Sequence, residues 1–138
     1  MDWSLTYSHK LPKLKPLGTP GFSIDEYIEF FFNDKYIGHI LFYCLNSEVL
    51  TMSRIYLTPN YRGKNFVRPM INILGSLYSS IKKIEFFITE NLQKYREVEF
   101  HYNKIGFKKD TESIEKYFNI RGENYRIFKM EKDLIKTI

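Results

Sequence analysis

A basic, glycine-containing turn lies between a strand-like and a helix-like segment of this sequence. Residues 61–67, here called the elbow, read YRGKNFV, after the apolar run MSRIYLTPN and before RPMINILGSLYSSI. A turn from a strand into a helix presents free backbone N–H groups at the positive end of the helix dipole, which favours a phosphate. Arg62, Lys64 and Arg68 add positive charge there. A basic surface loop without a ligand is the alternative, and the elbow alone does not decide between the two.

Acid–base chemistry has few candidate side chains in this sequence. Histidine titrates in the physiological range, but His39 lies within an apolar strand-like run and His101 beside an apolar helical stripe, which favours structural roles for both. The three histidines and Cys44 show no metal-ligand spacing, so we predict no metal site. No serine lies in a Gly-x-Ser-x-Gly turn, and the elbow lacks the Gly-Lys-Ser/Thr of a nucleotide P-loop.

Two apolar stripes predict helices before and after the strand-like segment KKIEFFITE. The first stripe has helical spacing, with Pro69 in its first turn, and consists of Met70, Ile73, Leu74, Leu77, Tyr78 and Ile81. The second consists of Tyr95, Val98, Tyr102 and Ile105. Gly106 is predicted to stop this second helix as a left-handed C-cap. On periodicity alone, Tyr102 is a core tyrosine with a satisfied hydroxyl.

Strand-like segments predict a mixed sheet. The aromatic runs DEYIEFFF and YIGHILFYCL flank the turn residues Asn33 and Asp34, which indicates a hairpin, and VLTMSRIYL adds a third antiparallel strand. Further strands are expected at WSLTYS, near FKKDTE and at YRIFKMEKDL. A strand–helix–strand crossover needs parallel pairing. We therefore predict the α/β (α+β) class, with one domain over residues 1–138, a mixed, mostly antiparallel sheet and helices on both faces.

The composition is that of a packed globular chain of 138 residues, 43% hydrophobic and 17% aromatic. The single cysteine, Cys44, excludes an intramolecular disulfide, and its apolar setting predicts a buried thiol. No run approaches the roughly 18–20 apolar residues of a membrane helix. The N-terminus lacks the apolar core of a signal peptide, so we expect a cytoplasmic protein without a membrane partner. The net charge of +5 is spread along the chain. Three roles of this positive charge are therefore favoured in the following order: solubility, binding of a phosphate-bearing ligand, and binding of nucleic acid.

Three motifs, in order, resemble those of the GNAT superfamily of N-acetyltransferases. The run IYLTPNYRGKNFV is similar to the acyl-CoA-binding motif of that family, Arg/Gln-x-x-Gly-x-Gly/Ala; Pro59, Tyr61, Arg62, Gly63 and Lys64 match. YNKIGF resembles the family's Tyr-Glu-Lys-Leu-Gly-Phe, and FKMEKDL resembles its closing strand. The resemblance covers residues 27–134 and implies a GNAT-like sheet. It also implies transfer of an acetyl group from acetyl-CoA to a primary amine, on a small molecule or a protein, by direct attack.

The resemblance implies roles for individual residues. It places the elbow amides on the pyrophosphate and the strand amides beside the pantetheine and the thioester. The cofactor-binding residues that it implies are Ile55, Tyr56, Leu57, Arg62, Gly63, Lys64, Asn65, Phe66, Val67 and Asn91. Tyr102 takes the place of the general acid beside the sulfur. The family's base is often a Glu in the third meander strand, where this chain has Thr51. Glu48 at the start of that strand is the candidate base, with an ordinary solvated turn residue as the alternative.

The chain departs from the family pattern at three places. Asn65 and Val67 stand where the family has small residues. Asn tolerates a left-handed conformation, whereas the branched side chain of Val67 would crowd the pyrophosphate or shift the helix. The region before Tyr27 is too short for the usual first strand and two helices that wall the acceptor site. A GNAT-fold binding module without turnover therefore stays open as the second interpretation. A sheet edge left bare by this short region would favour a homodimer.

Overall fold

The computed structural model describes residues 5–10, 25–92, 98–112 and 115–134, which form one sheet and two α-helices. The strands are β1 (Leu5–Lys10), β2 (Glu26–Phe32), β3 (Lys35–Cys44), β4 (Val49–Leu57), β5 (Lys83–Asn91), β6 (Lys108–Lys109), β7 (Lys116–Ile120) and β8 (Glu123–Asp133). The helices are α1 (Val67–Ser76) and α2 (Val98–Lys104), and a short 3-10 helix (Pro59–Tyr61) precedes α1. The strand order is β1-β2-β3-β4-β5-β8-β6, with β7 also paired to β8. Only the β4–β5 pair is parallel among these strands. The predicted α/β class and the mixed, mostly antiparallel sheet are confirmed.

The first half of the sheet is the predicted meander. Phe32 pairs with Lys35 at the end of the β2–β3 hairpin, and Asn33 and Asp34 between them have φ values of 51° and 65°. Two left-handed residues form the turn whose twist matches that of paired strands, and Asn and Asp tolerate this conformation best. The short strand expected at WSLTYS is β1, which pairs antiparallel along the outer edge of β2.

Helix α1 is shorter than its apolar stripe. The stripe was predicted to run to Ile81, but the helix ends at Ser76, whose hydroxyl donates to the carbonyl of Ile73 at 2.7 Å. Tyr78 and Ile81 are nevertheless buried outside the helix. The hydroxyl of Tyr78 donates to the buried carboxylate of Glu26 on β2. This bond holds the connection against the sheet where another helical turn was expected.

Both described helices pack against the same face of the sheet, so the part of the chain that the structure describes shows no helix on the other face. Ile84 and Phe86 point to one face of β5 because they are two residues apart. Gly75 of α1 lies over Ile84, where an added Cβ would be 3.7 Å from the isoleucine Cδ1, and the ring of Tyr102 in α2 lies 5.4 Å from that of Phe86. The crossovers β4–α1–β5 and β5–α2–β6 run in the same direction across the sheet. Right-handed crossovers in one direction place both helices on one side.

Strand β7 is an addition to the prediction, which had two strands after the second helix where the structure has three. Arg121 and Gly122, with φ values of 51° and 84°, connect β7 to β8. Phe118 stacks on Tyr125 across this pair at 5.5 Å. The segment KYFNI has no alternation of apolar and polar residues, and most of its side chains are exposed, so the hydrophobic pattern does not reveal it.

Helix α2 ends as predicted. Gly106 has a φ value of 99°, and Tyr102 and Ile105 from the predicted stripe are half-buried against the core. Tyr95, which begins that stripe, lies outside the described residues. Neither α1 nor α2 is long and apolar enough to cross a bilayer, so we find no membrane-spanning helix in the ranges given above.

Candidate functional site

Strands β4 and β5 separate halfway along their length. Each has nine residues, yet their parallel pairing ends at Met52 and Phe86. The separation coincides with a shift of register between β3 and β4 that leaves Ser53 as an extra residue on β4. An extra residue of this kind is a β-bulge, which bends its strand. A gap therefore opens between the C-terminal halves of β4 and β5.

The β4 edge of this gap presents backbone hydrogen-bonding groups. The N–H of Thr58 donates to a β3 carbonyl at 2.8 Å. Because alternate residues of an antiparallel strand bond to the same neighbour, Tyr56 also bonds toward β3, while Ile55 and Leu57 direct their N–H and C=O groups into the gap. The Arg62 Nε donates to the carbonyl of Leu57 at 2.7 Å, which agrees with a carbonyl that is directed away from β3. An extended ligand in the gap would meet this edge as a neighbouring strand does.

The elbow that follows β4 has the backbone of an anion-binding turn. Gly63 and Asn65 have φ values of 73° and 64°, and Phe66 is right-handed at φ −75° and ψ −25°. Successive residues of opposite hand direct their N–H groups to one concave side, a nest that binds anions. An added Cβ at Gly63 would meet no atom within 4 Å, so the backbone conformation, and not lack of space, requires glycine there. Asn65 adopts the left-handed conformation that asparagine tolerates.

Aromatic contacts and one cation hold the elbow in place. Phe66 is buried, and its ring lies edge-on to those of Phe32 and Tyr61 at 5.1 and 5.5 Å. Each such pair is worth about 0.5–1.5 kcal/mol beyond the burial of area. The guanidinium of Arg62 lies over the ring of Tyr56 at 5.6 Å. Phe66 and Arg62 therefore position the elbow.

The first turn of α1 adds further N–H groups. No side chain caps this helix at Phe66, and its first turn contains no acidic residue. The first N–H groups of a helix have no partner within it and carry the positive end of the dipole. Since Pro69 has no N–H, the donors that α1 offers in this turn belong to Val67 and Arg68.

A cavity of about 560 Å³ lies between the elbow and α2. It is lined by Gly63, Asn65, Val67, Arg68, His101, Tyr102, Lys104 and Ile105. Small-molecule sites hold roughly 300–1,000 Å³. Val67 is half-buried in the wall, and its side chain leaves this volume open. The lining has two fixed cations and no carboxylate among the described residues, so it favours an anion.

The two cations of the lining, Arg68 and Lys104, lie where α1 and α2 meet. Arg68 donates to the carbonyl of Lys104, the last residue of α2, at 2.7 Å. Lys132 of β8 donates to the carbonyl of Ile105 at 2.7 Å. Cations at the C-terminal end of a helix interact favourably with its dipole. Burial, and next the charge of Arg68, lower the pKa of Lys132. The positive end of the cavity is thus held by hydrogen bonds that join α1, α2 and β8.

Tyr102 lies at the point where β4 and β5 separate. Its ring is edge-on to Phe86, the last β5 residue paired with β4, and to Phe107, at 5.4 and 5.7 Å. Its hydroxyl has no hydrogen-bond partner among the residues that the structure describes. Burial raises the pKa of Tyr102 to about 12, so the hydroxyl stays protonated at neutral pH. The residue therefore combines the core contacts predicted from periodicity with a proton donor on a cavity-lining side chain.

The remaining predicted residues are spread more widely. Lys64 is exposed on the elbow and does not line the cavity. Asn91 is buried at the end of β5 and donates to Glu123 at 3.0 Å. Glu48 lies just before β4, is exposed and forms an ion pair with Lys82 at 3.4 Å. A strand as long as β4 spans about 26–30 Å, and the elbow is at its other end. The structure does not bring Glu48 together with the other candidate residues.

Three residues of α2 and its C-terminal turn were not among the predicted site residues. The sequence favours a structural role for His101 and places Lys104 and Ile105 in a motif without a role of their own, yet all three line the cavity. Helical periodicity groups Tyr102 with Ile105 and His101 with Lys104, since residues three apart are neighbours on a helix. Periodicity does not say which face of α2 turns toward the elbow, because the crossover between β5 and β6 decides that.

Comparison with known proteins shows the fold. No protein-family model and no curated protein sequence matches the chain. A GNAT family acetyltransferase from Elizabethkingia anophelis with acetyl-CoA bound matches with a TM-score of 0.66, over 94% of this chain and 98% of that one, at 12% identity. The spermidine/spermine N-acetyltransferase SpeG from Vibrio cholerae matches with a TM-score of 0.61, over 80% of this chain and 66% of that one, at 19% identity. The PaiA N-acetyltransferase from Thermoplasma acidophilum, in complex with coenzyme A, matches with a TM-score of 0.55 over 78% and 60%, at 19% identity. The chain therefore has the GNAT fold, and it spans nearly all of the first of these proteins but two thirds or less of the other two.

Proposed function

We propose that this chain transfers an acetyl group from acetyl-CoA to a primary amine. One observation carries the proposal, namely that an open strand edge leads to a backbone nest that lines an anion-favouring cavity. The edge is at Ile55 and Leu57, the nest contains Gly63 and Asn65, and the cavity holds about 560 Å³. The GNAT fold supports it, since two of the matching structures contain acetyl-CoA or coenzyme A.

The residues present fit the successive parts of acetyl-CoA. The N–H groups of residues 63–67 would hold the diphosphate, with Arg68 and Lys104 as neighbouring cations. The backbone groups of Ile55 and the N–H of Leu57 would bond to the amides of the pantetheine arm, as a neighbouring strand does. The cavity extends from the nest to Tyr102 at the separation of the strands, where the thioester would be placed.

The chemistry follows from the groups at this separation. Acetyl-CoA supplies an acyl group on a thiolate leaving group. The amine nitrogen forms the C–N bond as the C–S bond breaks, and a backbone N–H of β4 stabilises the developing oxyanion. Tyr102 donates its hydroxyl proton to the sulfur, and solvent restores that proton. An acceptor that starts as an ammonium ion loses two protons, which balance the one gained by sulfur and one released to solvent.

Release of the coenzyme A thiol, measured with a panel of primary amines, tests the proposal. The unaltered protein should release thiol only when an amine is present, with an equal amount of acetylated amine by mass spectrometry. A Tyr102→Phe variant keeps the ring contacts with Phe86 and Phe107 but loses the proton donor, so it should be slower by roughly 10²-fold. The matched control is Tyr117→Phe, which removes a hydroxyl from an exposed β7 side chain and should leave the rate unchanged. Absence of amine-dependent thiol release at saturating acetyl-CoA would overturn the transferase proposal.

A GNAT-fold module that binds coenzyme A without turnover is the second candidate. Two observations favour it: no carboxylate lines the described cavity, and Glu48 lies at the far end of β4. Saturable acetyl-CoA binding without thiol release would support this function. Val67→Gly should then tighten the binding, because the isopropyl group occupies part of the wall. Turnover by the unaltered protein would exclude it.

A further inference from the structure

Three tyrosines and a histidine form a patch on the sheet face opposite α1 and α2. This tyrosine–histidine patch consists of Tyr27 on β2, Tyr36 and His39 on β3, and Tyr56 on β4. The ring of His39 lies 5.1 Å from that of Tyr27, and it stacks nearly parallel on those of Tyr36 and Tyr56 at 6.4 and 5.4 Å. The neighbouring Ile40 is fully buried in the core beneath the helices, so His39 points to the other face. All four members of the patch are half-buried and partly accessible.

The patch adjoins the gap between β4 and β5. Tyr56 lies between Ile55 and Leu57, whose backbone groups face the gap, while its own side chain belongs to the patch. The cavity at the elbow is reached from the helix face, because Tyr102 of α2 is in its wall. Direct attack requires the amine and the thioester to be aligned at the reacting carbonyl. An amine that approaches from the patch side of the sheet, past the ring of Tyr56, would therefore reach a thioester in the gap.

Hydrogen bonds fix the orientation of the His39 ring. The Tyr36 hydroxyl lies 2.6 Å from the Nδ1 of His39. Burial and the neighbouring Tyr27 raise the pKa of Tyr36 to about 12, so the hydroxyl keeps its proton. Either group can donate this hydrogen bond, and when the ring proton is on Nδ1 the Tyr36 oxygen is the acceptor. This tautomer leaves Nε2 as a proton acceptor, and no described residue bonds to it.

Burial and a neighbouring positive charge keep the His39 imidazole neutral at physiological pH. Burial, and next the positive charge of Arg54, lower the pKa of His39, while Glu29 raises it by a smaller amount. A neutral imidazole can accept a proton, whereas an imidazolium cannot. The titratable and charged groups that face His39 are Tyr27 and Glu29 on β2, Tyr36 on β3, and Arg54 and Tyr56 on β4.

We propose that the Nε2 of His39 takes the proton from the acceptor amine and that Tyr36 is the residue that positions the imidazole for this step. The inference rests on the proposed acetyl transfer. An ammonium ion is attracted to the faces of the tyrosine rings. It passes one proton to Nε2, which leaves the nitrogen lone pair free to form the C–N bond. His39 returns this proton to solvent, and the second amine proton follows as the amide forms.

The pH profile of turnover tests the role of His39. In the unaltered protein, kcat/KM should fall on the acid side with an apparent pKa below the ordinary value for histidine of about 6.5. His39→Gln should lose this acidic limb and reduce kcat by roughly 10²-fold, with the Kd for acetyl-CoA unchanged. The control is Tyr43→Phe, a half-buried β3 residue on the same face but outside the patch, which should keep the unaltered profile. An acidic limb and a kcat that survive in His39→Gln would overturn the inference.

The role of Tyr36 has a readout that does not depend on turnover. Nitrogen-15 chemical shifts of the His39 ring should report the Nδ1–H tautomer in the unaltered protein. Tyr36→Phe should shift the ring toward the Nε2–H tautomer and lower kcat with little change in KM. A ring that already has Nε2–H in the unaltered protein would overturn the inference. If acetyl-CoA binds but no amine is acetylated, the proposed function fails first and the role of His39 fails with it.

Discussion

Replacement of Gly63 by alanine probes whether the left-handed turn of the elbow serves to bind a ligand. Gly63 has a φ value of 73°, and an added Cβ would meet no protein atom within 4 Å. The penalty within the protein is therefore conformational, about 1–2 kcal/mol for an L-residue in the left-handed region. Because Gly63 lines the cavity, the new methyl group also occupies space that a diphosphate needs.

The penalty can appear in either of two measured quantities. If the elbow keeps its shape, the free energy of unfolding falls by about 1–2 kcal/mol, and the methyl group hinders the ligand. If the elbow relaxes, stability is retained and the nest is lost, so the same energy appears as a weakening of acetyl-CoA binding by about 5–30-fold. Both cases predict weaker binding.

Gly122 provides a matched control. It has a φ value of 84°, and an added Cβ there also meets nothing within 4 Å, but it connects β7 to β8. Gly122→Ala should lower the free energy of unfolding by about 1–2 kcal/mol and leave acetyl-CoA binding unchanged. Urea unfolding and calorimetric titration supply the two quantities for each variant. If Gly63→Ala binds acetyl-CoA as tightly as the unaltered protein does, the assignment of the nest to the diphosphate is refuted.

Three further predictions concern stability and charge. Glu26→Ala removes the acceptor for the buried hydroxyl of Tyr78, so it should lower the free energy of unfolding, measured in urea, by about 1–3 kcal/mol. The control, Glu48→Ala at an exposed position, should change that free energy by less than about 0.5 kcal/mol. Equal effects of the two variants would contradict the stabilising role of Glu26. His39 has a lowered pKa when folded, so its contribution to stability is complete above the unfolded pKa of about 6.5 and is lost as the pH falls through the folded value. The free energy of unfolding, measured as a function of pH, should show this loss in the unaltered protein and not in His39→Gln. The same loss in both proteins would contradict the assignment of the loss to His39. Arg68→Met removes a cation from the cavity, so acetyl-CoA binding should weaken and depend less on salt in titrations at two ionic strengths; an unchanged salt dependence would argue against the role of this charge.

The parts of the fold that depend on neighbours in the sequence could be predicted. The left-handed residues Asn33 and Asp34 at the hairpin and Gly106 after α2 lie at the positions that turn chemistry indicates. The elbow was also recognisable, because a basic turn between a strand and a helix is a local pattern. Asn65 could be read as a residue that tolerates a left-handed backbone, and it has that conformation.

The parts that depend on contacts between distant segments could not be predicted. The connection after α1 is held against the sheet by the hydrogen bond of Tyr78 to Glu26, which are 52 residues apart. The separation of β4 from β5 coincides with a bulge at Ser53 that no residue type indicates. The residue type and the strand make Glu48 a candidate base, but the direction of β4 places it away from the elbow. The sequence does not reveal the tyrosine–histidine patch because its members come from three strands, and strand register alone brings them together.

Backbone amide chemical shifts, followed as coenzyme A is added to the isotope-labelled protein, test the central claim most directly. The claim is that the N–H groups of the elbow bind the diphosphate and that the edge of β4 binds the arm attached to it. The account predicts that the largest saturable shifts fall on Gly63, Lys64 and Asn65, with a second group at Ile55 and Leu57. Absence of shifts at millimolar coenzyme A, or shifts confined to residues outside the elbow and β4, would contradict it.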